Sequence, residues 1–173
     1  EKIMEVANRY DIPVVEDAAE GFGSKFDGQV LGTFGKFGVL SFNGNKMITT
    51  SGGGALICAD AESKNNIMWY ATQARDAYPY YQHEAIGYNY RMPNINAALG
   101  CAQLENLDKF IACKRQLALE YAEYFKNVDD IQFFTEPKDT FSNYWLQAVI
   151  LKDKDAQQAF LQQTNDNGVM TRP

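Results

Sequence analysis

The feature that most limits the fold stands at the start of the chain, where a helical apolar stripe, Ile3, Val6, Ala7 and Tyr10, runs straight into the short apolar run Ile12-Pro13-Val14-Val15. A helix feeding a buried strand is the unit of α/β sheets. Pro13 has no amide hydrogen to give to a ladder, so it fits only where such a strand begins. Glu16, Asp17 and Glu20 then fall at the strand's carboxyl end, the edge at which open parallel sheets gather their ligands. The opening residues are helical in pattern without a Ser, Thr, Asp or Asn cap, and the last are Thr171-Arg172-Pro173. We therefore expect the 173 residues to be a window on a larger protein.

Further on, apolar runs at 38–42 and 54–58 read as buried strands around the polar, glycine-containing segment 43–53. A helix is predicted over 61–75, then a loop with tyrosines at 78, 80, 81, 88 and 90 that closes on Arg91-Met92-Pro93. The pattern over 95–126 is long against a globular mean of about 11 to 12 residues; a bend or break near 104–108 would divide it, but one helix connecting two domains is the simpler reading. Strands at 131–134 and 144–151 and a helix over 156–165, closing at Gly168, follow.

Composition removes whole classes of function. With 46% hydrophobic and 22% charged residues the chain is neither disordered nor a disulfide scaffold. Sixteen basic against 22 acidic side chains leave a net charge of -6, which lacks the positive footprint of a nucleic-acid binder. Cys58, Cys101 and Cys113 form no CxxC pair, and only one histidine is present, so no metal site is expected. They read as reduced, buried thiols, which suit a cytoplasmic protein. No apolar run approaches the about 20 residues of a membrane-spanning helix, so no membrane is expected as a partner.

Lys46 carries the chemical interest. A P-loop would need Gly-Lys-Ser/Thr, yet Asn45 precedes Lys46 and Met47 follows it; neither Gly21-Phe22-Gly23 nor Gly52-Gly53-Gly54 completes a dinucleotide fingerprint. What is left is a lysine on a polar loop between two strands, either a solvated surface residue or an amine tuned to attack an aldehyde. Asp17 at a strand end and the hydroxyl of Ser41 complete the set that pyridoxal phosphate uses: an amine, a carboxylate for the ring nitrogen and small donors for the phosphate. Each also has a plain reading alone. Asp17 could cap a helix, Ser41 could pack in its strand, Asn89 could serve a turn, and His83 reads as a loop residue. The tyrosines could fill an interface, and Trp69 and Trp145 read as core anchors.

Three strings in this order resemble the DegT/DnrJ/EryC1/StrS sugar aminotransferase family: Val15-Glu16-Asp17-Ala18-Ala19-Glu20; Leu40-Ser41-Phe42-Asn43-Gly44-Asn45-Lys46 with Thr49-Thr50 and Gly52-Gly53-Gly54; and Ile86-Gly87-Tyr88-Asn89-Tyr90-Arg91-Met92-Pro93. The resemblance implies an α/β pyridoxal 5'-phosphate aminotransferase of fold-type I, present in part. Residues 1–100 would be the carboxyl half of the large domain, 101–127 the connecting helix, and 128–173 the start of the small α+β domain. It implies Lys46 as the Schiff-base lysine and proton shuttle, Asp17 on the pyridine nitrogen, Ala19 against the ring and Ser41 on the phosphate. Asn89 would reach the phosphate held by a second subunit, making a homodimer with shared sites. Tyr90, Arg91 and Arg172 are candidates for contact with the sugar nucleotide.

Asn43-Gly44-Asn45-Lys46 together with Asn94-Ile95-Asn96-Ala97-Ala98-Leu99 is most similar to the subgroup that aminates UDP-linked, N-acetylated 4-keto-6-deoxy sugars, the bacillosamine and legionaminic acid type, with glutamate as donor. The alternatives are a GDP-4-keto-6-deoxymannose aminotransferase of the perosamine type and a non-catalytic sugar-nucleotide-binding module. Glu20, a further cofactor-binding candidate, stands where many family members carry Gln or His, which can donate a hydrogen bond to the cofactor's phenolic 3'-oxygen. An ionised carboxylate beside a phenolate is unfavourable, so Glu20 is expected to be protonated or turned to another donor. Because the family's first phosphate turn would precede residue 1, the isolated 173 residues are expected to be inactive.

Overall fold

The computed structural model describes residues 2–173. Helix α1 (Lys2–Arg9) is followed by strand β1 (Val15–Asp17), which begins later than the apolar run from Ile12 implies. Asp11 turns the chain at φ 52, and the Ile12 amide donates to the Ala7 carbonyl, so this stretch closes the helix instead of joining the ladder. Strand β4 (Phe37–Ser41) lies parallel to β1, pairing Val15 with Phe37 and Asp17 with Val39. Strand β5 (Gly54–Cys58) runs antiparallel to β4, giving the order β1-β4-β5. Gly38 in the central strand has no room for a side chain, since a Cβ would collide with the Gly32 carbonyl.

Between β1 and β4 the chain makes a hairpin, β2 (Lys25–Phe26) and β3 (Gln29–Val30), turning on Asp27 at φ 47 and Gly28 at φ 78. Two positive φ angles at an Asp-Gly pair are the signature of a type I' turn. On its other side β2 pairs with β7 (Thr140–Phe141), from the far end of the chain. The first hundred residues and the segment after the long helices are thus joined in one small sheet, β3-β2-β7.

Helix α2 (Ala61–Ala71) is capped by Asp60, whose carboxylate accepts from the Ser63 amide at 2.7 Å. It ends short of the predicted Arg75 because Gln73 and Ala74 adopt φ 71 and 49. The single connecting helix does not occur either. The pattern divides into α3 (Asn94–Leu104) and α4 (Leu107–Phe125), with the break at Glu105-Asn106. Asn106 leaves helical geometry at φ -106 and ψ 2, and its side-chain amide donates to the Ala102 carbonyl, which is how short polar side chains compete with a helix ladder.

Strands β6 (Ile131–Phe133) and β8 (Val149–Leu151) form an antiparallel pair beneath α4, with α5 (Lys154–Asp166) against β8. Only the last three residues of the apolar run 144–151 enter a ladder. Tyr144 sits at φ 46, and the side chains of Tyr144 and Trp145 are taken up by contacts to other elements. Helix α5 is capped by Asp153 and stops before Gly168 at φ 79.

The core consists of Leu40, Met47, Ile48, Ile111, Phe133 and several alanines, while Ile3, Ile86, Ile95 and Tyr90 are all more than three-quarters exposed. The expectation of buried thiols is also corrected: Cys58 is half-buried, and Cys101 and Cys113 are exposed. Among the described residues no helix is long and apolar enough to cross a membrane.

Candidate active site

Because β1 and β4 are parallel, their carboxyl ends meet at one edge of the sheet, and each closes on a polar side chain. Asp17 is the last residue of β1 and Ser41 the last of β4. Glu16, one residue earlier, turns away from this edge. Its carboxylate accepts the amides of Gly32, Phe34 and Gly35 at 2.5 to 2.9 Å and so fixes the loop that leads into β4. Asp17 Oδ1 accepts from the Ala19 amide at 3.1 Å, which aims the carboxylate past the strand end. Ala18 is buried and Ala19 half-buried behind it.

The segment 42–53 leaves the same edge and is stitched down along its length. The Thr50 amide donates to the Phe42 carbonyl, and the Phe42 amide to Gly53. From α3, Asn96 donates to the Thr50 carbonyl at 2.6 Å, and Gln103 accepts from the Thr49 amide at 3.4 Å. Met47, Ile48 and Thr50 are buried, so the loop is anchored in the core just after its polar tip.

Lys46 occupies that tip with only 14% of its side chain exposed. Its Nζ lies 3.1 Å from Glu20 Oε1 and 4.7 Å from the centre of the Trp145 ring. Glu20, expected to be protonated or turned to a donor, meets the lysine's own ammonium. The glutamate side chain is 59% exposed, so water screens this pair and it opens at little cost. Beside Lys46 is a cavity of about 390 Å³ walled by Met47, Gln103, Phe110, Cys113, Trp145 and Leu146.

The remaining candidates lie elsewhere in this chain. Asn89 forms an isolated bridge with Thr72 beyond α2, and Tyr90 and Arg91 line a separate, larger groove of about 900 Å³ between β5 and α2. Arg172 is exposed just after Thr171, which is tied by hydrogen bonds to Thr164 and Asn165 at the end of α5. His83 Nδ1 lies 3.0 Å from the Gln73 carbonyl, a loop contact. Thus the structure gathers Asp17, Ala19, Glu20, Ser41 and Lys46 at one edge and leaves Asn89, Tyr90, Arg91 and Arg172 outside it.

Sequence reasoning missed the groups that hold this edge together. Asn143, buried at 4% exposure, donates from its backbone to Ser24 Oγ and from its side chain to the carbonyls of Glu20 and Phe22. Arg115 of α4 forks onto Glu136 at 2.7 and 2.8 Å and lies 4.0 Å from the centre of the Phe141 ring. Hydrogen bonding from Arg115 holds the Glu136 carboxyl below its ordinary range, against partial burial, and the Ser142 amide adds to the effect. The only local signal for these roles was a polar residue amid aromatics at Asn143.

A sheltered amine, a strand-end carboxylate with one oxygen not engaged by the Ala19 amide, and a neighbouring hydroxyl are the donor set that fits pyridoxal phosphate. The DegT/DnrJ/EryC1/StrS aminotransferase family model matches residues 1–173. The chain is 39% identical over 173 residues to EpsN of Bacillus subtilis (strain 168), whose name assigns it to the pyridoxal phosphate-dependent aminotransferases; the match covers 100% of this chain and 45% of that protein. It is also 39% identical over 174 residues to the GDP-perosamine synthase of Escherichia coli O157:H7, covering 100% and 47%. Among solved structures it superposes on the aminotransferase TlmJ from Streptoalloteichus hindustanus with a TM-score of 0.93 at 28% identity, over 99% of this chain and 47% of that one. The chain spans about half the length of the curated relatives it matches. It belongs to the DegT/DnrJ/EryC1/StrS aminotransferase family, and its mixed α/β fold is that of the family's aminotransferases.

Proposed function

We propose that this family member supplies the lysine-bearing part of a sugar aminotransferase, which moves an amino group from glutamate to the 4-keto carbon of a nucleotide-linked 6-deoxy sugar. The observation that carries the reading is Lys46, a largely sheltered amine at the sheet edge where Asp17 and Ser41 also end. Pyridoxal phosphate, when bound, supplies an aldehyde that amines attack and a cationic ring that withdraws electrons from the carbon next to that nitrogen. Asp17 would hold the proton on the ring nitrogen, and Ser41, whose Oγ accepts from the Asn43 amide at 3.4 Å, would donate its hydroxyl hydrogen to the phosphate. Ala19, half-buried, would keep the ring's place free of bulk.

Lys46 Nζ carries the proton to and from the substrate carbon, a role that a tethered amine in a water-poor setting can fill. Glu20 holds the ammonium when the amine is idle and, being mostly exposed, lets go of it readily. Asn89, Tyr90 and Arg91 lie apart from Lys46 in their own chain, which supports their serving the site of a second copy in a homodimer. Arg172 is assigned to the anionic sugar nucleotide on its charge.

The resemblance of residues 43–46 and 94–99 supports a UDP-linked, N-acetylated substrate. A second reading, GDP-4-keto-6-deoxymannose, is supported by the 39% identity to a GDP-perosamine synthase along the whole chain. Incubating the full-length protein with glutamate and each 4-keto sugar nucleotide, and following 2-oxoglutarate release, tests both. Release with the UDP sugar alone supports the first reading, and release with the GDP sugar alone the second. Cofactor-loaded full-length protein that releases none with either refutes the aminotransferase reading.

A further inference from the structure

We propose that Trp145 is a positioning residue for Lys46, holding the lysine loop by the edge of its indole and the lysine's ammonium by its face. The proposal rests on the reading of Lys46 as the reactive amine and concerns what keeps that amine in place. The indole Nε1–H donates to the Asn45 carbonyl at 2.5 Å, across 100 residues of chain, while Lys46 Nζ stands 4.7 Å from the ring centre. One side chain therefore fixes both the backbone just before the lysine and the end of the lysine itself.

Trp145 is in turn fixed. Its amide donates to Asn143 Oδ1 at 2.9 Å, and Asn143 is bound to Ser24, Glu20 and Phe22. The segment 136–145 is held from the other side by Arg115, which forks onto Glu136 and donates to the Ser142 carbonyl, while the Ser142 amide donates back to Glu136 at 2.6 Å. Strand β7, within this segment, pairs with β2. The indole is thus presented to Lys46 by a strap bonded at several points, and it does not sit on a free loop.

An aromatic face suits this task better than a second carboxylate would. It attracts the ammonium through its quadrupole and shields one side of the amine from water, but it has no lone pair with which to take or trap the proton. Glu20 attracts the same ammonium, but it is mostly exposed, and water competes for it. Location thus comes from Trp145, while Lys46 is left free to exchange its proton with substrate.

The test labels lysines in the cofactor-free protein with acetic anhydride and reads by mass spectrometry the labelling rate at Lys46 relative to Lys138 and Lys126, whose side chains are 92% and 65% exposed. Trp145→Leu should raise the ratio about fivefold, the size expected of losing a sheltered cation–π contact, and Trp145→Phe, which keeps a ring face, should raise it by less than about twofold. In loaded protein Trp145→Leu should lower kcat with KM for glutamate little changed, and Trp145→Phe should restore most of it. A ratio unchanged in Trp145→Leu, or rates raised equally at all three lysines, overturns the proposal, because general loosening acts on every site. Protein that never takes up pyridoxal phosphate refutes the reading of the site itself, and the labelling ratio still decides the role of Trp145.

Discussion

The lysine loop, 42–53, and the tyrosine loop, 76–93, both lie outside helix and strand, but they are held in opposite ways. The first is tied by side chains from distant elements, Asn96 and Gln103 of α3 and Trp145 of the strap, and it buries Met47, Ile48 and Thr50. The second is fixed mainly by backbone hydrogen bonds beside the end of α2, from the Tyr88 amide to Tyr70 and the Tyr90 amide to Ala71, and leaves Tyr81 79% and Ile86 85% exposed. A reactive group must be located to a fraction of an ångström, which a loop achieves only when packing and second contacts lock it. Exposed aromatics on a backbone-held loop suit contact with another surface, where large rigid side chains contribute area at low entropy cost.

The greatest effect is expected where the clamped loop carries its chemistry. Lys46→Ala should lower 2-oxoglutarate release by at least about a thousandfold, within the range of losing a positioned proton carrier, while far-UV circular dichroism is unchanged. Residual turnover above a hundredth of normal would show that the clamp holds the wrong amine.

Next is the strap that clamps it. Asn143→Ala leaves the carbonyls of Glu20 and Phe22 and the Trp145 amide without their partner, and should destabilise the protein by about 2 to 4 kcal/mol in urea unfolding. A loss below about 0.5 kcal/mol, the size of an ordinary surface change, would mean that water replaces the side chain and the strap is not rigid.

A smaller effect, readable through pH, is expected at Glu136. Its folded-state carboxyl is held below the ordinary value of 4.5 by hydrogen bonding from Arg115, so its contribution is complete above that value and fades as pH falls through the lower, folded one. Wild type should lose more stability than Glu136→Gln as the pH falls below about 4.5. Parallel stability curves would remove this pair from the strap.

The smallest effect belongs to the tyrosine loop. Tyr81→Ala removes a ring that lies over Arg75 at 4.3 Å but is largely in water, so the folded chain should change by less than about 0.5 kcal/mol. Self-association, followed by analytical ultracentrifugation, should weaken in the same variant. A large loss of stability would erase the difference between the two loops.

Much of this was legible in the residues. The helix at the start, strands near 38–42 and 54–58, and the helix near 156–165 followed from periodicity and punctuation, which act within a few positions. The Asp27-Gly28 hairpin also had a local signal, its turn chemistry, although the glycine-rich surroundings hid it. A break near 104–108 is open in the sequence as an alternative but is not the preferred reading, because an apolar stripe continues across it and the Asn106 side-chain hydrogen bond leaves little trace in the pattern. Strand β7 had no signature at all: a two-residue strand carries no period, and its pairing with β2 spans more than a hundred positions.

By itself the sequence determined which groups could react and along which elements they travel: Asp17 and Ser41 at strand ends, Lys46 between strands, and tyrosines on a loop before Pro93. Tertiary structure decided which of them meet and what holds them. It set Glu20 and Trp145 on Lys46, turned Glu16 into a clamp for 32–35, and kept Tyr90 and Arg91 in another groove. The reason is range. Propensity and periodicity report on neighbours along the chain, whereas the hydrogen bond from Trp145 to Asn45 exists only because β7, Asn143 and Arg115 bring two remote segments to the same place.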